Sequence, residues 1–330
     1  MSVASLPTVL TVVLNYRTPD LAIRAVEAAL VAMEGLSGAI TVVDNDSQDG
    51  SFERLSEAVR ARGWDRVRVL PSGRNGGYGA GNNFGIRQGL PDGSKPDFVY
   101  ILNSDAFPEP DAIRRLLDPL QAHPDAGFAG SRLHGEDGVY HQTAFRFPGI
   151  FSEFESGAGT GPISRLLRRY VVALPEPKEA QWVDWMAGAS LLVRQRMLDE
   201  VGLFDETFFL YFEETDLSLR ARRAGWKSVY VPESRVMHIG SVSTGMKTWK
   251  RMPSFWFDSR LHYFVKNHGV AYATAATLAY TAGAMIFKLR SVLGKRRSGP
   301  AERFLSDLLQ HALRSAWQRR IGAGSGASPS

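Results

Sequence analysis

Acidic side chains gather in one short segment of the chain, directly after a run of large aromatic residues. Glu213, Glu214 and Asp216 lie within four residues of one another, and the run FFLYF precedes them at 208–212. Partial burial beside a second carboxylate raises the pKa of a glutamate, and a raised pKa suits a general base. The dipole of a helix N-terminus acts in the opposite direction, because it stabilises anions in a first helical turn. Acids are common at that position, so these residues alone leave a purely structural role open.

Polar runs also follow four successive hydrophobic segments near the start of the chain. They are Asn15-Tyr16-Arg17, Asp44-Asn45-Asp46-Ser47, the segment SGRNGGYG at 72–79, and Asn103-Ser104-Asp105. Each run alone fits an Asx turn or a helix cap. Open α/β sheets bind their ligands at the carboxyl ends of the strands, however, so four such runs in succession predict a ligand site there.

The elements that would position these residues alternate along the chain. Hydrophobic, β-branched runs predict strands, and the amphipathic stretches between them predict helices. The predicted strands are 8–14, 39–43, 67–70 and 98–102, and the predicted helices begin at Thr18-Pro19 (with Thr18 as the cap), at Ser51, near 79 and near 110. This order predicts an α/β fold with a Rossmann-like, mostly parallel sheet that binds a nucleotide at its strand ends.

A glycine-rich segment, GGYGAGNNFG at 76–85, follows the third predicted strand. Its position and spacing differ from those of a dinucleotide-binding fingerprint, which follows the first strand of a sheet. We expect the backbone around Gly77 to approach a base or a ribose closely. Asn82 and Asn83 would supply hydrogen-bonding side chains beside it.

Taken in order, six segments resemble a family 2 glycosyltransferase of the GT-A fold, and more closely its rhamnosyltransferase-like branch. The segments are VVLNY, VVDNDSQDG, NGGYGAGNNFG, ILNSD, GLFDETFFLYFEETDLSLRARRAG and VPESRVMH. The resemblance covers about residues 8–245 and implies an inverting transferase that takes a sugar from a nucleotide diphosphate. It implies a dTDP- or UDP-linked donor, with L-rhamnose from dTDP-rhamnose as the best candidate, and a hydroxyl of a glycan or lipid-linked acceptor.

The resemblance also implies a role for individual residues. Glu214 matches the catalytic base, with Glu213 beside it. Asp105 matches the last acid of the family's D-x-D element and would hold Mg²⁺ or Mn²⁺ against the diphosphate, and His238 would complete the metal site. Asn103 stands where that element usually begins with aspartate. The predicted nucleotide-binding residues are Asn15, Tyr16, Asp44 (on the pyrimidine base), Arg74, Gly77, Asn83, Asn103 and Ser104. The predicted sugar and acceptor residues are Trp182, Asp184, Gly188 and Tyr211.

Charge is distributed unevenly between the body of the chain and its end. Residues 241–330 carry 14 of the 39 lysines and arginines but only three of the 34 acids. This end also contains an uncharged stretch at 267–287 and a predicted amphipathic helix with Phe304, Leu308 and Trp317 among arginines. A basic amphipathic segment of this kind is typical of proteins that bind an anionic membrane surface. A core helix and a membrane-spanning helix remain alternatives for 267–287.

These patterns predict the organisation of the whole chain. We expect a GT-A domain at 1–245, with its nucleotide half at about 1–125 and its acceptor half at about 126–245. A helical, basic extension at 246–320 would hold the protein at the cytoplasmic face of the cell membrane, and 321–330 would be a disordered terminus.

Two other function classes are weighed against the transferase. A sugar nucleotidyltransferase would need a glycine-rich, basic loop after the first strand, where this chain has LNYRTPD. A non-catalytic nucleotide- or carbohydrate-binding module would lack the acids that Asp105, Glu213 and Glu214 supply. The chain has no cysteine, which excludes a thiol nucleophile and a disulfide framework. We expect no nucleic-acid partner, and a homodimer is left open.

Overall fold

The structure, a computed structural model, describes residues 7–240, 242, 249–292 and 303–324. The chain divides into two compact units. The α/β unit is drawn from 1–147 and 173–246, and the helical unit is drawn from 148–172 and 247–330.

Strands and helices alternate through the first half of the chain, as the sequence predicts. The strands are β1 (Thr8–Asn15), β2 (Ser37–Asp44), β3 (Val67–Pro71), β4 (Phe98–Asn103), β5 (Ala106–Pro108), β6 (Ala126–His134), β7 (Ala144–Phe145), β8 (Gln181–Val183), β9 (Trp185–Met186), β10 (Ser190–Arg194) and β11 (Lys227–His238). The helices are α1 (Pro19–Ala32), α2 (Ser51–Arg62), α3 (Gly77–Arg87), α4 (Ala112–Ala122), α5 (Ile150–Ala158), α6 (Gly161–Leu166), α7 (Gln195–Val201), α8 (Glu213–Arg223), α9 (Ser254–His268), α10 (Val270–Val292) and α11 (Phe304–Gly324).

One mixed sheet organises the α/β unit. Its strand order is β3-β2-β1-β4-β10-β6-β11-β5, and β8 pairs with β11 outside this path. β1 is parallel to β2 and β4, and β6 is parallel to β11, whereas β10 runs antiparallel to β4 and β6. The carboxyl ends of β1, β2, β3, β4, β6 and β11 therefore lie along the same edge of the sheet. The predicted α/β, mostly parallel fold is confirmed, and the polar runs that follow these strands share this edge.

Alternating side chains of β1 form cores on both faces of this sheet. Val9 and Val13 belong to a cluster with α1 and α4, while Leu10 and Val12 belong to a second cluster with α3, α7 and α8. Residues of a strand alternate between faces, so a strand that is apolar at every position needs helices on both sides.

The glycine-rich segment serves the packing of α3 on this sheet. A Cβ atom at Gly81 would overlap the side chain of Leu14, and one at Gly85 would overlap that of Val12. These two glycines let α3 lie close to β1. The contact between α3 and the sheet therefore accounts for glycine at these two positions. A contact with a base or a ribose is not needed to explain them.

The helical unit contains α5, α6, α9, α10 and α11. α10 packs against α5 through small residues: a Cβ at Gly157 would overlap the backbone of Tyr280, and one at Gly283 would overlap the backbone of Phe154. A buried ion pair joins α9 to α5, with the Arg260 guanidinium 2.6 Å from the Glu153 carboxylate. The C-terminal helices α9 and α10 are thus packed against α5, which comes from the middle of the chain.

The bounds of this unit differ from the predicted ones in two places. Residues 148–172, which the sequence analysis places in the GT-A domain, group with the helical unit. α11 extends to Gly324, so 321–324 are helical where a disordered terminus is predicted. The rest of that terminus, 325–330, and the predicted extension at 246–248 and 293–302 lie outside the described residues.

Candidate active site

The carboxyl ends of β1 and β2 are joined by a buried polar network. Asn15 donates from Nδ2 to Asp44 Oδ1 (2.8 Å), and the Ser47 hydroxyl donates to the same oxygen (2.6 Å). The Ser47 amide donates to Asp44 Oδ2 at 3.2 Å. Asn15, Asp44 and Ser47 are all almost fully buried. The predicted nucleotide residues Asn15 and Asp44 therefore hold one another in place at this edge.

The next strand end is connected to this network through Thr18. Its hydroxyl lies 3.2 Å from Asn15 Oδ1 and 2.8 Å from the Ser104 hydroxyl, which follows β4. Thr18 occupies the N-cap position of α1, as predicted, but its side chain makes no capping bond to the helix. The reason is that the hydroxyl is engaged between two strand ends.

Unusual backbone conformations concentrate in the loops at this edge. Arg17, Asp46 and Gln48 have φ between 54° and 59°, and Tyr211 and Phe212 have φ of 70° and 69°. Non-glycine residues in the left-handed region cost of order 1 kcal/mol or more each, and they cluster at functional sites. Tyr211 and Phe212 immediately precede α8, so the strain lies next to the paired glutamates.

The glycine-rich turn contacts this same aromatic segment. The Tyr78 amide donates to the Phe209 carbonyl at 3.0 Å. Gly77 has φ of 88°, and a Cβ there would overlap that carbonyl oxygen. Asn45 Nδ2, which follows β2, donates to the Gly77 carbonyl at 3.2 Å. Gly77 is required by the close approach of two protein segments, and the sequence did not indicate this role.

Glu213 and Glu214 begin α8 beside the turn that leads into β10. The Gly188 amide donates to Glu214 Oε1 at 3.2 Å, and the Tyr78 hydroxyl donates to the Gly188 carbonyl at 2.7 Å. Glu213 is 1% exposed, whereas Glu214 is only partly buried. Glu213 Oε2 and Asn82 Oδ1 are both buried, and neither atom has a hydrogen-bond partner among the described residues.

Burial raises the pKa of both glutamates. For Glu213, the loss of solvation is the largest cause and the negative charge of Glu214 adds to it, so its pKa is well above the usual range. For Glu214, burial raises the pKa and the Gly188 amide opposes the rise. The prediction that one pKa of this group is raised is therefore supported for both. Burial and the proximity of the two carboxylates both disfavour a state in which Glu213 and Glu214 are ionised together.

The third acid of this segment has a structural role. Asp216 is fully buried and pairs with Arg220 at 2.9 Å, and the Arg220 guanidinium also donates to the Leu203 carbonyl at 2.7 Å. The i, i+4 spacing on α8 allows this pair, and its carboxylate lies inside the protein. Ala224, the C-cap residue of α8, is exposed.

Asp105 and His238 lie together at the far side of the same edge. His238 Nε2 is 3.2 Å from Asp105 Oδ1, and the Gly240 amide donates to Asp105 Oδ2 at 3.0 Å. Burial alone would raise the pKa of Asp105, but His238 and the backbone amides outweigh it and the pKa is lowered. Antiparallel pairing of β5 with β11 sets Ala106 opposite His238 and so brings the two together.

This pair has the chemistry of a divalent cation site. Mg²⁺ is usually bound by one or two carboxylates together with substrate phosphates, and Asp105 supplies an ionised carboxylate beside an imidazole. Within the described ranges, no group of three or more His, Asp or Glu side chains is placed to hold a metal without a substrate. The residues present thus fit a cation that shares its ligands with a diphosphate.

Several predicted site residues are placed or engaged differently. Trp182 is exposed on β8, beside the His123 ring and the Lys227 ammonium, at the amino end of β11 and so at the opposite edge of the sheet. Asn83 is fully buried, where it donates to the Phe204 carbonyl and accepts from the Phe204 amide. Strand pairing explains the first difference, because Trp182 lies opposite Val229 near the start of β11, and burial explains the second, because Asn83 anchors the backbone of Phe204.

Two further predicted residues bind other protein groups. Arg74 is exposed and pairs with Glu206 at 2.9 Å, a carboxylate that also accepts from Asn83 and Arg87. Asp184 accepts from the Phe147 amide at 3.0 Å.

Tyr16 lies under the Arg17 guanidinium, with 5.1 Å from Cζ to the ring centroid. Asn103 ends β4 and is partly exposed at the site edge.

Tyr78 is the site residue that sequence reasoning missed. Its burial, together with the charges of Glu214 and Glu213, raises its pKa well above the usual range, so the hydroxyl remains a donor. A tyrosine inside a glycine-rich segment, in the first turn of a helix, is the signal that could have revealed it.

The arrangement as a whole has the features of a nucleotide-sugar transferase site of the GT-A type. Comparison with known proteins agrees with this class. A family model described as "Glycosyltransferase like family 2" matches residues 7–262, which is most of the chain. The chain belongs to this family, and it is a glycosyltransferase of the rhamnosyltransferase-like branch. The predicted family, fold class and enzyme class are confirmed.

Curated relatives include two rhamnosyltransferases. The N-acetylglucosaminyl-diphospho-decaprenol L-rhamnosyltransferase of Mycobacterium tuberculosis is 34% identical over 215 residues, which cover 62% of this chain and 68% of the relative. The rhamnosyltransferase WbbL of Escherichia coli K12 is 26% identical over 169 residues, covering 49% of this chain and 60% of the relative.

Solved structures show the same fold. A mannosyltransferase from Pyrobaculum calidifontis, in complex with GDP-Man and Mn²⁺, aligns with a TM-score of 0.58 and 14% identity over 96% of this chain and 88% of that one. GalNAc-T7 with UDP, GalNAc and Mn²⁺ aligns with a TM-score of 0.53 and 16% identity over 93% of this chain and 55% of that one. At these identities the likeness concerns the fold alone.

Proposed function

We propose that this glycosyltransferase moves L-rhamnose from dTDP-rhamnose to a hydroxyl of a lipid-linked glycan, with inversion of the anomeric centre. The sugar and the lipid-linked acceptor are suggested by the rhamnosyltransferase relatives, one of which is named for a decaprenol-linked substrate. UDP-linked donors and lipid-free glycan acceptors are the alternatives.

One observation carries the proposal: the half-buried Glu214 stands beside the almost fully buried Glu213, whose pKa burial raises, at the edge where the nucleotide-site residues converge. Glu214 is partly exposed and is held by the Gly188 amide. Glu213 is almost fully buried, with its Cβ close to Gly79 of α3. Such a pair presents one base to a substrate and keeps its neighbour neutral, because two adjacent carboxylates resist ionising together.

In the reaction, the acceptor oxygen attacks the anomeric carbon while the bond from that carbon to the diphosphate breaks. Glu214 takes the proton of the acceptor hydroxyl, a contribution of roughly 10²–10⁴ in rate. The nucleoside diphosphate leaves from the opposite face. A single displacement turns a β-linked donor into an α-L-rhamnoside.

The strand-end residues would bind the donor. Asp44, fixed by Asn15 and Ser47, would accept from the pyrimidine, and the partly exposed Tyr16 and Asn103 would contact the nucleotide. Asp105 and His238 would hold Mg²⁺ or Mn²⁺, which would neutralise charge on the diphosphate when bound. Gly188 and Tyr211 adjoin the glutamates and remain candidates for the sugar subsite.

Donor choice can be tested by ligand-induced stabilisation. We expect dTDP-rhamnose to raise the melting temperature more than UDP-glucose, UDP-galactose or GDP-mannose, and to do so more strongly with Mn²⁺ present. A transfer assay on a polyprenyl-diphosphate-linked acceptor then identifies the product.

The same assay separates the competing functions. Slow release of dTDP from dTDP-rhamnose without acceptor supports a transferase. Release of pyrophosphate from a nucleoside triphosphate would instead identify a sugar nucleotidyltransferase. Stabilisation by nucleotide sugars with neither product would leave a non-catalytic binding module.

A further inference from the structure

The outward face of α10 carries a stripe of exposed uncharged residues that runs nearly the whole length of the helix, with the exposed Lys288 beside it near the C-terminal end. Its exposed members follow one another at intervals of three or four residues, which places them on one side of the helix. They are Ala271, Thr274, Leu278, Ala282, Met285, Leu289 and Val292. Leu278 and Met285 are each 62% exposed. From Ala271 to Val292 the stripe is about 30 Å long.

The inward face of α10 has a different composition and is already occupied. Ala273, Ala276, Gly283 and Ala284 are buried, and Thr277 accepts from the buried guanidinium of Arg260. Arg260 itself pairs with Glu153 of α5. A helix that contacts an ion pair along one side is poorly suited to lie in lipid on all sides, because ionised groups are costly in a hydrocarbon interior.

Among the described helices, α10 is the one whose length and composition would allow it to cross a membrane. However, 39% of its most apolar 18-residue segment is buried inside the protein. The buried part contacts α5, and the exposed part is the stripe. This division favours a helix that lies along a surface over one that spans a bilayer.

Arginines accompany exposed apolar residues elsewhere in the helical unit. Arg165, Arg168 and Arg169 are exposed around Leu166, which is 82% exposed, and none of the three forms an ion pair among the described residues. Nearby, the rings of Phe151 and Tyr170 are in contact, with centroids 4.7 Å apart and planes tilted by 38°. On α11, Leu313 and Trp317 are exposed on either side of Arg314.

The two units carry opposite net charge. The segments 148–172 and 247–330 contain 17 lysines and arginines against five acids, which leaves 22 against 29 for the rest of the chain. A negatively charged surface would attract the helical unit and repel the α/β unit.

We propose that the helical unit binds the surface of an anionic lipid bilayer through the α10 stripe, with Arg165, Arg168 and Arg169 contacting lipid headgroups. The apolar stripe enters the interface and the arginines neutralise the headgroups, which is how peripheral amphipathic helices bind. This inference concerns attachment alone and is independent of the sugar or acceptor proposed above.

Vesicle flotation of the purified full-length protein tests it. We expect the protein to float with vesicles of equal parts phosphatidylglycerol and phosphatidylcholine but not with pure phosphatidylcholine. Raising the salt from about 0.05 to 0.5 M should release it, because screening weakens the attraction. Absence of binding to either vesicle would overturn the proposal.

Two matched pairs of variants locate the surface. L278S/M285S/L289S, on exposed positions, should reduce the vesicle-bound fraction at least tenfold, whereas V31S/V139S on the α/β unit should not. R165Q/R168Q/R169Q should weaken binding by about fivefold per residue, whereas R60Q/R196Q/R222Q, the same charge change on the α/β unit, should leave it intact. An equal loss in the corresponding control variant, V31S/V139S or R60Q/R196Q/R222Q, would reject the assigned surface.

Two further outcomes contradict the proposal in other ways. Binding that resists high salt and alkaline carbonate and needs detergent would mean that α10 spans the bilayer. A dimer in light scattering that L278S/M285S/L289S converts to monomer would make the stripe an interface between two copies. Release of dTDP from the donor should be unchanged in all four variants, so loss of membrane binding is distinguished from loss of catalysis.

Discussion

Asp105 and Glu213 are both almost fully buried, yet their pKa values are displaced in opposite directions. Asp105 adjoins His238 and receives the Gly240 amide, so its negative charge is favoured in spite of burial. Glu213 is shielded from solvent and lies beside Glu214, so its charge is disfavoured. The two carboxylates belong to the same unit and differ in the partners that the fold gives them.

The difference separates two tasks of a transfer site. A group that binds a cation or a diphosphate complex must remain ionised, whereas a base must hold a proton after the reaction and release it again. Asp105 meets the first condition and the Glu213–Glu214 pair meets the second. Substitutions at Asp105 or at either glutamate each remove one side of this contrast.

The largest effect is expected for Glu214→Gln. The variant should fold and bind the nucleotide normally, because Gln retains an oxygen for the Gly188 amide. Turnover should fall at least about 100-fold, since the proton acceptor is lost. Steady-state transfer kinetics measure this. Near-normal turnover would exclude Glu214 as the base and leave Glu213 as the remaining candidate.

Asp105→Ala should have the next largest effect. The variant should lose its stimulation by Mn²⁺ and bind the nucleoside diphosphate at least about tenfold more weakly, because the ionised carboxylate is the best oxygen ligand at the site. Calorimetric titration with dTDP, with and without Mn²⁺, measures both. His238→Ala should do the same less severely, and Asp92→Ala, on an exposed loop, serves as control. Full activity in excess EDTA would exclude the metal from the reaction.

Tyr78→Phe tests the support of the base and should have a moderate effect. Loss of the bond to the Gly188 carbonyl should lower kcat about fivefold, the equivalent of about 1 kcal/mol, with little change in the KM for the donor. Tyr170→Phe on the helical unit is the control. An increase in KM with constant kcat would show that Tyr78 contacts the substrate and does not position Glu214.

Glu213→Gln should have the smallest effect on turnover, within about threefold at neutral pH, because Gln resembles the protonated acid. Its effect lies in the pH dependence of stability. The pKa of Glu213 is higher in the folded state, so its stabilising contribution is complete below the unfolded value of 4.5 and is lost as the pH rises through the folded value.

Unfolding by urea at a series of pH values above 4.5 measures this contribution. The decline in the free energy of unfolding with rising pH should be smaller in Glu213→Gln than in the wild type or in Glu57→Gln, an exposed control on α2. An unchanged decline would mean that Glu213 is already ionised in the folded protein.

Much of the fold could be predicted from the sequence, because its signals are local. The four strand runs and the helices between them follow from hydrophobic periodicity, and the polar strand ends follow from the chemistry of open sheets. The Glu213-Glu214 cluster and the Asn103-Ser104-Asp105 run are local sequence features too, whereas the roles of these acids come from the family resemblance and stay predictions. What the sequence could not show is which side chains bind one another: Asn83 anchors Phe204, and Trp182 lies at the opposite edge.

The contacts that were missed join residues far apart in the chain. Tyr78 contacts Gly188 and the Phe209 carbonyl, and no spacing rule connects these positions. The grouping of 148–172 with the tail was missed for the same reason, since its basis is the packing of two glycines, Gly157 and Gly283. Periodicity shows which face of a helix is apolar, but it does not show which helix will cover that face.

The packing of α5 against α10 has a consequence for how the protein is made. α5 leaves the ribosome more than a hundred residues before the part of α10 that covers it, a delay of roughly ten seconds at common rates of synthesis. Throughout that interval the glycine face of α5 has no partner, so the helical unit can form only near the end of translation. A chain cut after residue 246 would stay in this unfinished state, and we expect it to need chaperones and to aggregate more than the full-length protein.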